Sequence, residues 1–137
     1  MLNYPNVRQD ADCWAITSGN TVNVTTDFPK NAERWSVFLW AIHEMAHSLD
    51  SRYSDMMGYP GGNFQSVSVI SNNPIIGQNL SRSCKQRADD ANSEVFADAF
   101  VSWVVGGPCA FIDPQAGSLF DNIMKEWLWN FTIFGNN

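Results

Sequence analysis

The sequence predicts an α+β fold, with a short sheet placed ahead of three helices. An alternating, β-branched stretch at residues 20–26, NTVNVTT, is typical of a strand, because successive side chains of a strand point to opposite faces. Three later stretches repeat apolar residues every three or four positions, as a helix with one buried face requires. Strand signals followed by helix signals favour α+β.

The first predicted helix covers residues 31–50, NAERWSVFLWAIHEMAHSLD. Asn31 follows the helix breaker Pro29 and is a suitable N-cap. The apolar residues at helical spacing, which we expect to face the core, are Trp35, Phe38, Leu39, Ile42, Ala46 and Leu49.

The middle of the chain, residues 51–88, carries the weakest pattern. It is rich in Gly, Asn and Ser, which mark turns and loops. Its one alternating run, QSVSVIS at residues 65–71, fits a strand or a β-ribbon. This run is the second strand signal of the predicted sheet.

Two further helices are predicted in the last third of the chain. Residues 89–108, DDANSEVFADAFVSWVVGGP, begin with acids and end on Gly106-Gly107-Pro108, a typical stop signal. Residues 117–131, GSLFDNIMKEWLWNF, carry an apolar stripe, and Ser118 with Asp121 resembles a capping box at its start.

Length, composition and charge limit the possible functions. The 137 residues, 45% of them hydrophobic, suit one domain over residues 1–137. The net charge is -6, and the 8 basic residues are scattered, so we expect neither nucleic acid nor a membrane surface as a partner. We expect a monomer.

The cysteines and three Asn-x-Ser/Thr triplets bear on localisation. The triplets begin at Asn23, Asn79 and Asn130 and are possible glycan acceptors, which favours a secreted protein. The three cysteines show no Cys-x-x-Cys spacing. Cys84 and Cys109 flank a predicted helix and are the favoured disulfide pair, with Cys13 unpaired; buried free thiols in a reducing compartment are the alternative.

The stretch AIHEMAHSLD, residues 41–50, contains both histidines of the chain. On a helix, His43 and His47 lie on one face about 6 Å apart along the axis, close enough to bind one Zn²⁺. Glu44 lies about 100° around the helix, where a carboxylate can take a proton from water activated by the metal. The alternative is a pair of histidines satisfied by hydrogen bonds, but their mid-helix position in an apolar segment favours zinc.

An open catalytic zinc site needs a third protein ligand. A metzincin would continue the motif with Gly and then His or Asp, but this chain has Asp50 and Tyr53 at those positions. The stretch NSEVFADAF instead offers Glu94 as a ligand and Asp98, one helical turn later, as a carboxylate that orients a ligating histidine. An exposed helical acid is the alternative for Asp98.

The pattern His43-Glu44-x-x-His47 followed by Glu94-x-x-x-Asp98 resembles the gluzincin clan of zinc metallopeptidases. The segments HEMAHSLD and SEVFADAF are most similar to the compact catalytic domains of minigluzincins and anthrax lethal factor-like enzymes, over about 20 of the 137 residues. The resemblance implies a small zincin-like domain with a mixed sheet whose edge strand binds an extended substrate. It also implies His43, His47 and Glu94 as zinc ligands and Glu44 as the general base.

One departure from that family concerns the residue that stabilises the oxyanion. Lethal factor-like enzymes carry a tyrosine about two turns before the ligating glutamate, and Arg87 stands there in this chain. Arg87, Tyr53 or Tyr59 could supply positive charge or a hydroxyl to a developing oxyanion, although each is also an ordinary surface residue type. Asp50 is expected to hydrogen-bond near the site or to end the helix.

These observations predict a zinc-dependent endopeptidase that uses water activated by the metal, with Glu44 as the base. A zinc amidase or glycan-directed hydrolase on the same scaffold is one alternative. A non-catalytic zinc-bearing binding module is another, and it requires a protein group such as Asp50 in the fourth coordination position.

Overall fold

The computed structural model describes residues 15–18, 21–24, 34–59, 64–86 and 91–135. Within these ranges the elements, in chain order, are two strands, five α-helices and one 3₁₀ turn. They are β1 (Ala15–Ser18), β2 (Thr21–Val24), α1 (Arg34–Met56), α2 (Gln65–Asn72), α3 (Pro74–Gln78), α4 (Asn92–Val105), the 3₁₀ turn Gly107–Cys109, and α5 (Pro114–Phe134).

The described part of the chain is mainly helical, so the prediction of an α+β fold with a short mixed sheet is wrong. Among the described residues, β1 and β2 pair with each other alone, antiparallel, with Ala15 opposite Val24. The strand predicted at residues 20–26 coincides with β2 over residues 21–24, and Thr25 lies outside the described residues. This hairpin contacts α1.

The predicted strand at residues 65–71 is the helix α2, and this is the main reason why the fold class differs. Its buried residues are Ser66, Val69 and Ile70, which is helical spacing. The cap residue Phe64 offers no side-chain hydrogen bond to the start of α2. Two residues of α1 accept these hydrogen bonds instead: Gln65 N–H donates to Ser54 Oγ at 2.9 Å, and Ser66 N–H donates to Asp50 Oδ1 at 3.0 Å. A tertiary cap therefore overrides a local strand pattern.

Helix α4 is the centre of the fold. Eight consecutive residues, Val95 to Ser102, are buried, because the other four helices all pack against α4. The helix ends at Gly106, whose φ of 60° lies in the left-handed region that favours glycine. The predicted stop signal is confirmed.

Helix α5 closes the core with aromatic side chains. Trp127 stacks on Tyr53 of α1 with ring centroids 4.0 Å apart and also contacts Phe96 of α4 at 5.1 Å. The helix starts at Pro114 and is capped by Asp113, which accepts a hydrogen bond from Gln115 N–H at 2.9 Å. The predicted capping box at Ser118 is therefore wrong, since Ser118 lies inside the helix.

The buried face of α1 is narrower than its sequence predicts. Leu39, Ile42 and Ala46 are buried, as predicted, but Trp35 and Phe38 are 45% and 50% exposed. Both lie in the first two turns of α1, ahead of the part of the helix that carries the buried residues.

The predicted pairing of Cys84 with Cys109 is confirmed by a disulfide, whereas Cys13 lies outside the described residues. The disulfide joins the segment before α4 to the 3₁₀ turn after it. Among the described residues, no helix combines the length and the apolarity needed to cross a membrane.

Candidate metal centre

The candidate site lies where α1 packs against α4. Helix α1 contributes His43 and His47, one turn apart on one face, and α4 contributes Glu94 and Asp98 with the same spacing. The two pairs meet at the interface of these helices, although His43 and Glu94 are 51 residues apart in sequence.

The Nε2 atoms of both histidines point to the Glu94 carboxylate and to each other. His43 Nε2 lies 3.0 Å from Glu94 Oε2, and His47 Nε2 lies 2.9 Å from Glu94 Oε1. The two Nε2 atoms are 3.3 Å apart. Two ring nitrogens and both oxygens of one carboxylate thus converge on a single point.

This donor set fits a zinc ion. Ligand atoms bonded to a tetrahedral Zn²⁺ at about 2.0 to 2.1 Å lie about 3.3 to 3.4 Å apart. The separation of 3.3 Å between the two Nε2 atoms agrees with that value, and the two contacts to Glu94, at 3.0 and 2.9 Å, are slightly shorter, as hydrogen-bonded groups are. Two histidines with one glutamate form the ligand set of an open catalytic zinc site.

Asp98 holds the His43 ring from the other side. His43 Nδ1 donates to Asp98 Oδ1 at 2.8 Å, and the same oxygen accepts from the backbone N–H of Gln86 at 3.0 Å. This bond keeps a proton on Nδ1, so when the ring is neutral its lone pair is on Nε2, the nitrogen that lies beside Glu94 and His47. Asp98 therefore selects the tautomer that a metal needs.

The ring of His43 and the carboxylate of Glu94 shift each other's pKa. Burial is the largest single influence on His43 and lowers its pKa, but Asp98 and Glu94 together outweigh it and raise the pKa to about 9. Burial also acts to raise the pKa of Glu94, and hydrogen bonds from His43 and His47 outweigh it, so the Glu94 carboxyl stays ionised far below its usual range. The site is thus built around a permanent negative charge.

Glu44 lies beside this cluster. It is buried, and with His43 and His47 it forms a group in which each residue offers a ligand atom within 4.8 Å of the others. Because Glu44 follows His43 directly in a helix, its side chain leaves α1 in a different direction from the two imidazoles. Glu44 therefore lies close enough to the two histidines to contact a metal bound between them.

Asp50 makes its hydrogen bonds at the junction of α1 with α2. Both of its oxygens are engaged at the start of α2: Oδ1 accepts from Ser66 N–H and from Ser54 Oγ, and Oδ2 accepts from Ser66 Oγ. Burial raises the pKa of Asp50, and these hydrogen bonds act against that shift. The carboxylate therefore joins α1 to α2.

The three candidates for the oxyanion lie in different places. Arg87 is outside the described residues. Tyr53 is buried in the contact of α1 with α5, where its hydroxyl accepts a hydrogen bond from Asn130 Nδ2 at 2.7 Å. Tyr59 is exposed in the turn after α1. Neither tyrosine is brought to the histidines.

Sequence reasoning missed the hydrogen bond from Gln86 to Asp98. It comes from the backbone, so the residue type at position 86 gives no signal for it. The only hint in the sequence is that Cys84, one half of the disulfide, lies two residues earlier.

Comparison of the chain with protein-family models, with curated proteins and with solved structures finds no match. The functional argument therefore depends on the site itself.

Proposed function

We propose that this protein is a zinc-dependent endopeptidase, in which His43, His47 and Glu94 hold the metal and Glu44 is the general base. The convergence of His43 Nε2, His47 Nε2 and the Glu94 carboxylate from two separate helices is the observation that carries the proposal. The resemblance of the two motifs to gluzincins gives the same assignment of roles.

The side chains divide the work of hydrolysis. A bound zinc would act as a Lewis acid: it would polarise an amide carbonyl and lower the pKa of a water molecule. The Glu44 carboxylate takes a proton from the attacking water and delivers it to the nitrogen of the leaving amine. Asp98 fixes the His43 ring at Nδ1, and the burial of both residues keeps bulk water away from this hydrogen bond.

An extended peptide is the substrate class we propose. The hairpin of β1 and β2 contacts α1, and a peptide in a strand conformation can add to a strand edge through its main-chain hydrogen bonds. We assign this role to β2 and the following residue, 21–25. Proline in this segment should then weaken peptide binding and leave zinc affinity unchanged.

The position of Asp50 bears on the alternative of a non-catalytic zinc module. That alternative needs a protein group in the fourth coordination position, and Asp50 was its candidate. Because both Asp50 oxygens are engaged at α2, Asp50 is a poor fourth ligand, which favours an open, catalytic site. An amidase or glycan-directed hydrolase would use the same ligands, so substrate assays must decide that question.

We also infer that the protein is exported. The disulfide between Cys84 and Cys109 favours an oxidising compartment. The glycan triplet at Asn130 adds little to this inference, because the Asn130 side-chain amide that would carry a glycan is hydrogen-bonded to the Tyr53 hydroxyl.

The test compares Glu44→Gln with the matched control Asp55→Asn, an exposed acid on the same helix. Zinc content and cleavage of a mixed peptide library are measured for both variants and for the unaltered protein, with and without a chelator. We expect all three to hold one zinc and cleavage to be sensitive to the chelator. Glu44→Gln should lose about 10²- to 10⁴-fold in turnover, the usual contribution of a general base, while Asp55→Asn stays active.

Three other outcomes would contradict the proposal in different ways. Full turnover in Glu44→Gln would show that Glu44 is not the general base. Zinc without cleavage of any peptide or cell-wall polymer would leave a binding module, and cleavage of the polymer alone would leave the glycan-directed hydrolase.

A further inference from the structure

The segment Ser81–Gln86 lies between the candidate metal centre and the disulfide. At one end, Gln86 N–H donates to Asp98 Oδ1 at 3.0 Å, and that oxygen holds the ring of His43. At the other end, Cys84 is bonded to Cys109 in the 3₁₀ turn that follows α4. Only one residue separates Cys84 from Gln86.

Further contacts fix this segment against the same 3₁₀ turn. Ser83 Oγ donates to the carbonyl of Pro108 at 3.3 Å, and Cys84 is 3% exposed. The side chain of Gln86 folds back and donates from Nε2 to the carbonyl of Cys84 at 2.9 Å. The Gln86 N–H thus belongs to a segment that the disulfide and these hydrogen bonds hold against the 3₁₀ turn.

Asp98 depends strongly on this donor. It is buried, and among the described residues its Oδ2 atom has no hydrogen-bond partner. Both donors that the structure gives it, His43 Nδ1 and Gln86 N–H, bind Oδ1. Without the Gln86 N–H, the buried Asp98 carboxylate would keep one hydrogen bond, from His43, and the orientation of the carboxylate would be poorly defined.

We propose that the Cys84–Cys109 disulfide and the Gln86 N–H act together as a positioning device for the metal centre. The disulfide holds the N–H on Asp98, Asp98 holds the tautomer and the angle of His43, and His43 then presents Nε2 to the metal. This inference rests on the proposed zinc site, but it concerns metal affinity rather than cleavage. A covalent bond outside the ligand set thus contributes to the affinity of the site for zinc.

The decisive experiment is a double-mutant cycle on zinc affinity. The proteins are the unaltered chain, Asp98→Asn, the double variant Cys84→Ser with Cys109→Ser, and the triple combination, each titrated with zinc against a competing chelator. Removal of a group that orients a metal ligand usually costs about 10- to 100-fold in affinity. We expect such a loss in Asp98→Asn and in the double serine variant, with no further loss in the triple variant, because both changes break the same chain of contacts.

A general loosening of the fold gives a different result in this cycle. The losses from the serine pair and from Asp98→Asn would then multiply in the triple variant, which would overturn the inference, as would full affinity in the serine pair. Zinc binding without peptide cleavage would remove the proposed function and leave this inference intact. Absence of zinc binding in the unaltered chain would remove both.

A backbone substitution covers the case in which the serine pair fails to fold. Gln86→Pro removes the N–H and keeps the disulfide, and Gln86→Ala keeps both the N–H and the disulfide. We expect zinc affinity to fall about 10-fold or more in Gln86→Pro. The absorption spectrum of the cobalt-substituted protein should change with it, because the His43 ligand is misdirected, while Gln86→Ala retains both properties. Equal affinity in the proline and alanine variants would contradict a role for this N–H.

Discussion

Two buried aspartates on neighbouring helices, Asp50 and Asp98, have the same exposure and opposite uses. Each is 3% exposed and each accepts hydrogen bonds from a backbone N–H and from a side chain. The side chain from which Asp98 accepts is the ring of His43, so Asp98 belongs to the candidate metal centre. The side chains from which Asp50 accepts are Ser66 and Ser54, so Asp50 belongs to the junction of α1 with α2.

The difference teaches that burial alone does not identify a functional acid. Sequence reasoning assigned both residues to the surroundings of the metal, because both stand near the motifs. The donor that each carboxylate accepts from decides its role: an imidazole links Asp98 to chemistry, and a helix N-terminus links Asp50 to folding. Substitutions should therefore separate the two regions by what they change.

The largest effect on stability is expected at the folding junction. Asp50→Ala leaves the N–H and hydroxyl of Ser66 buried without their acceptor, and we expect the free energy of unfolding to fall by about 3 to 4 kcal/mol. Urea denaturation measures this, with Asp55→Ala on the exposed side of α1 as the control, for which we expect a change within about 0.5 kcal/mol. A loss no greater than that of the control would place Asp50 outside the junction.

The next largest effect is a dependence of folding stability on pH that arises at the metal centre. In zinc-free protein, the pKa of His43 rises from 6.5 to about 9 on folding, so the protonated ring stabilises the folded state. That stabilisation is fully present below pH 6.5 and is lost as the pH rises through about 9; the shift corresponds to about 3 kcal/mol. Glu94 stays ionised throughout this range and does not contribute to the change.

Urea denaturation of chelator-treated protein at pH 6 and pH 9.5 tests the pH dependence. The unaltered chain should lose more stability between the two values than His43→Gln does. Equal losses would show that the ring is not held by Asp98 and Glu94.

A smaller effect separates the two aspartates through zinc itself. Asp98→Asn should weaken zinc binding by about 10- to 100-fold, because the amide no longer fixes the His43 ring as an anionic acceptor does. Asp50→Asn, the matched change at the other buried aspartate, should leave zinc affinity within about twofold, because Asp50 accepts its hydrogen bonds from Ser54 and Ser66 and not from a histidine. Similar losses in both variants would erase the distinction between the two regions.

The smallest effect concerns Tyr53, which sequence reasoning offered as an oxyanion partner. Its hydroxyl accepts from Asn130 Nδ2, so Tyr53→Phe should cost about 1 kcal/mol of stability through the lost hydrogen bond. Peptide turnover should stay unchanged when it is measured well below the melting temperature. A large loss of turnover with little loss of stability would return Tyr53 to the active site.

The meeting of the four side chains in the candidate site could be predicted from the sequence because the spacing within each pair is local. His43 with His47, and Glu94 with Asp98, each lie one helical turn apart, and the helical pattern around each pair is strong. Packing of α1 on α4 then brings the two pairs together. The Gln86 N–H could not be predicted, since a backbone donor leaves no trace in residue type.

The fold class could not be predicted because its deciding interactions are distant in sequence. Residues 65–71 alternate like a strand, yet Ser66, Val69 and Ile70 are buried on one face of α2. The caps that start this helix come from Asp50 and Ser54, on another helix. Local propensity does not include such contacts, and the tertiary contacts prevail.

The most direct test of the central claim is the zinc content of the purified protein beside that of Glu94→Ala. The two histidines and Glu94 converge within hydrogen-bond distance, so we expect one zinc per unaltered chain and a marked loss of zinc in the variant at equal metal concentration. Equal zinc in both proteins would remove Glu94 from the ligand set, and no zinc in the unaltered protein would contradict the metal centre altogether.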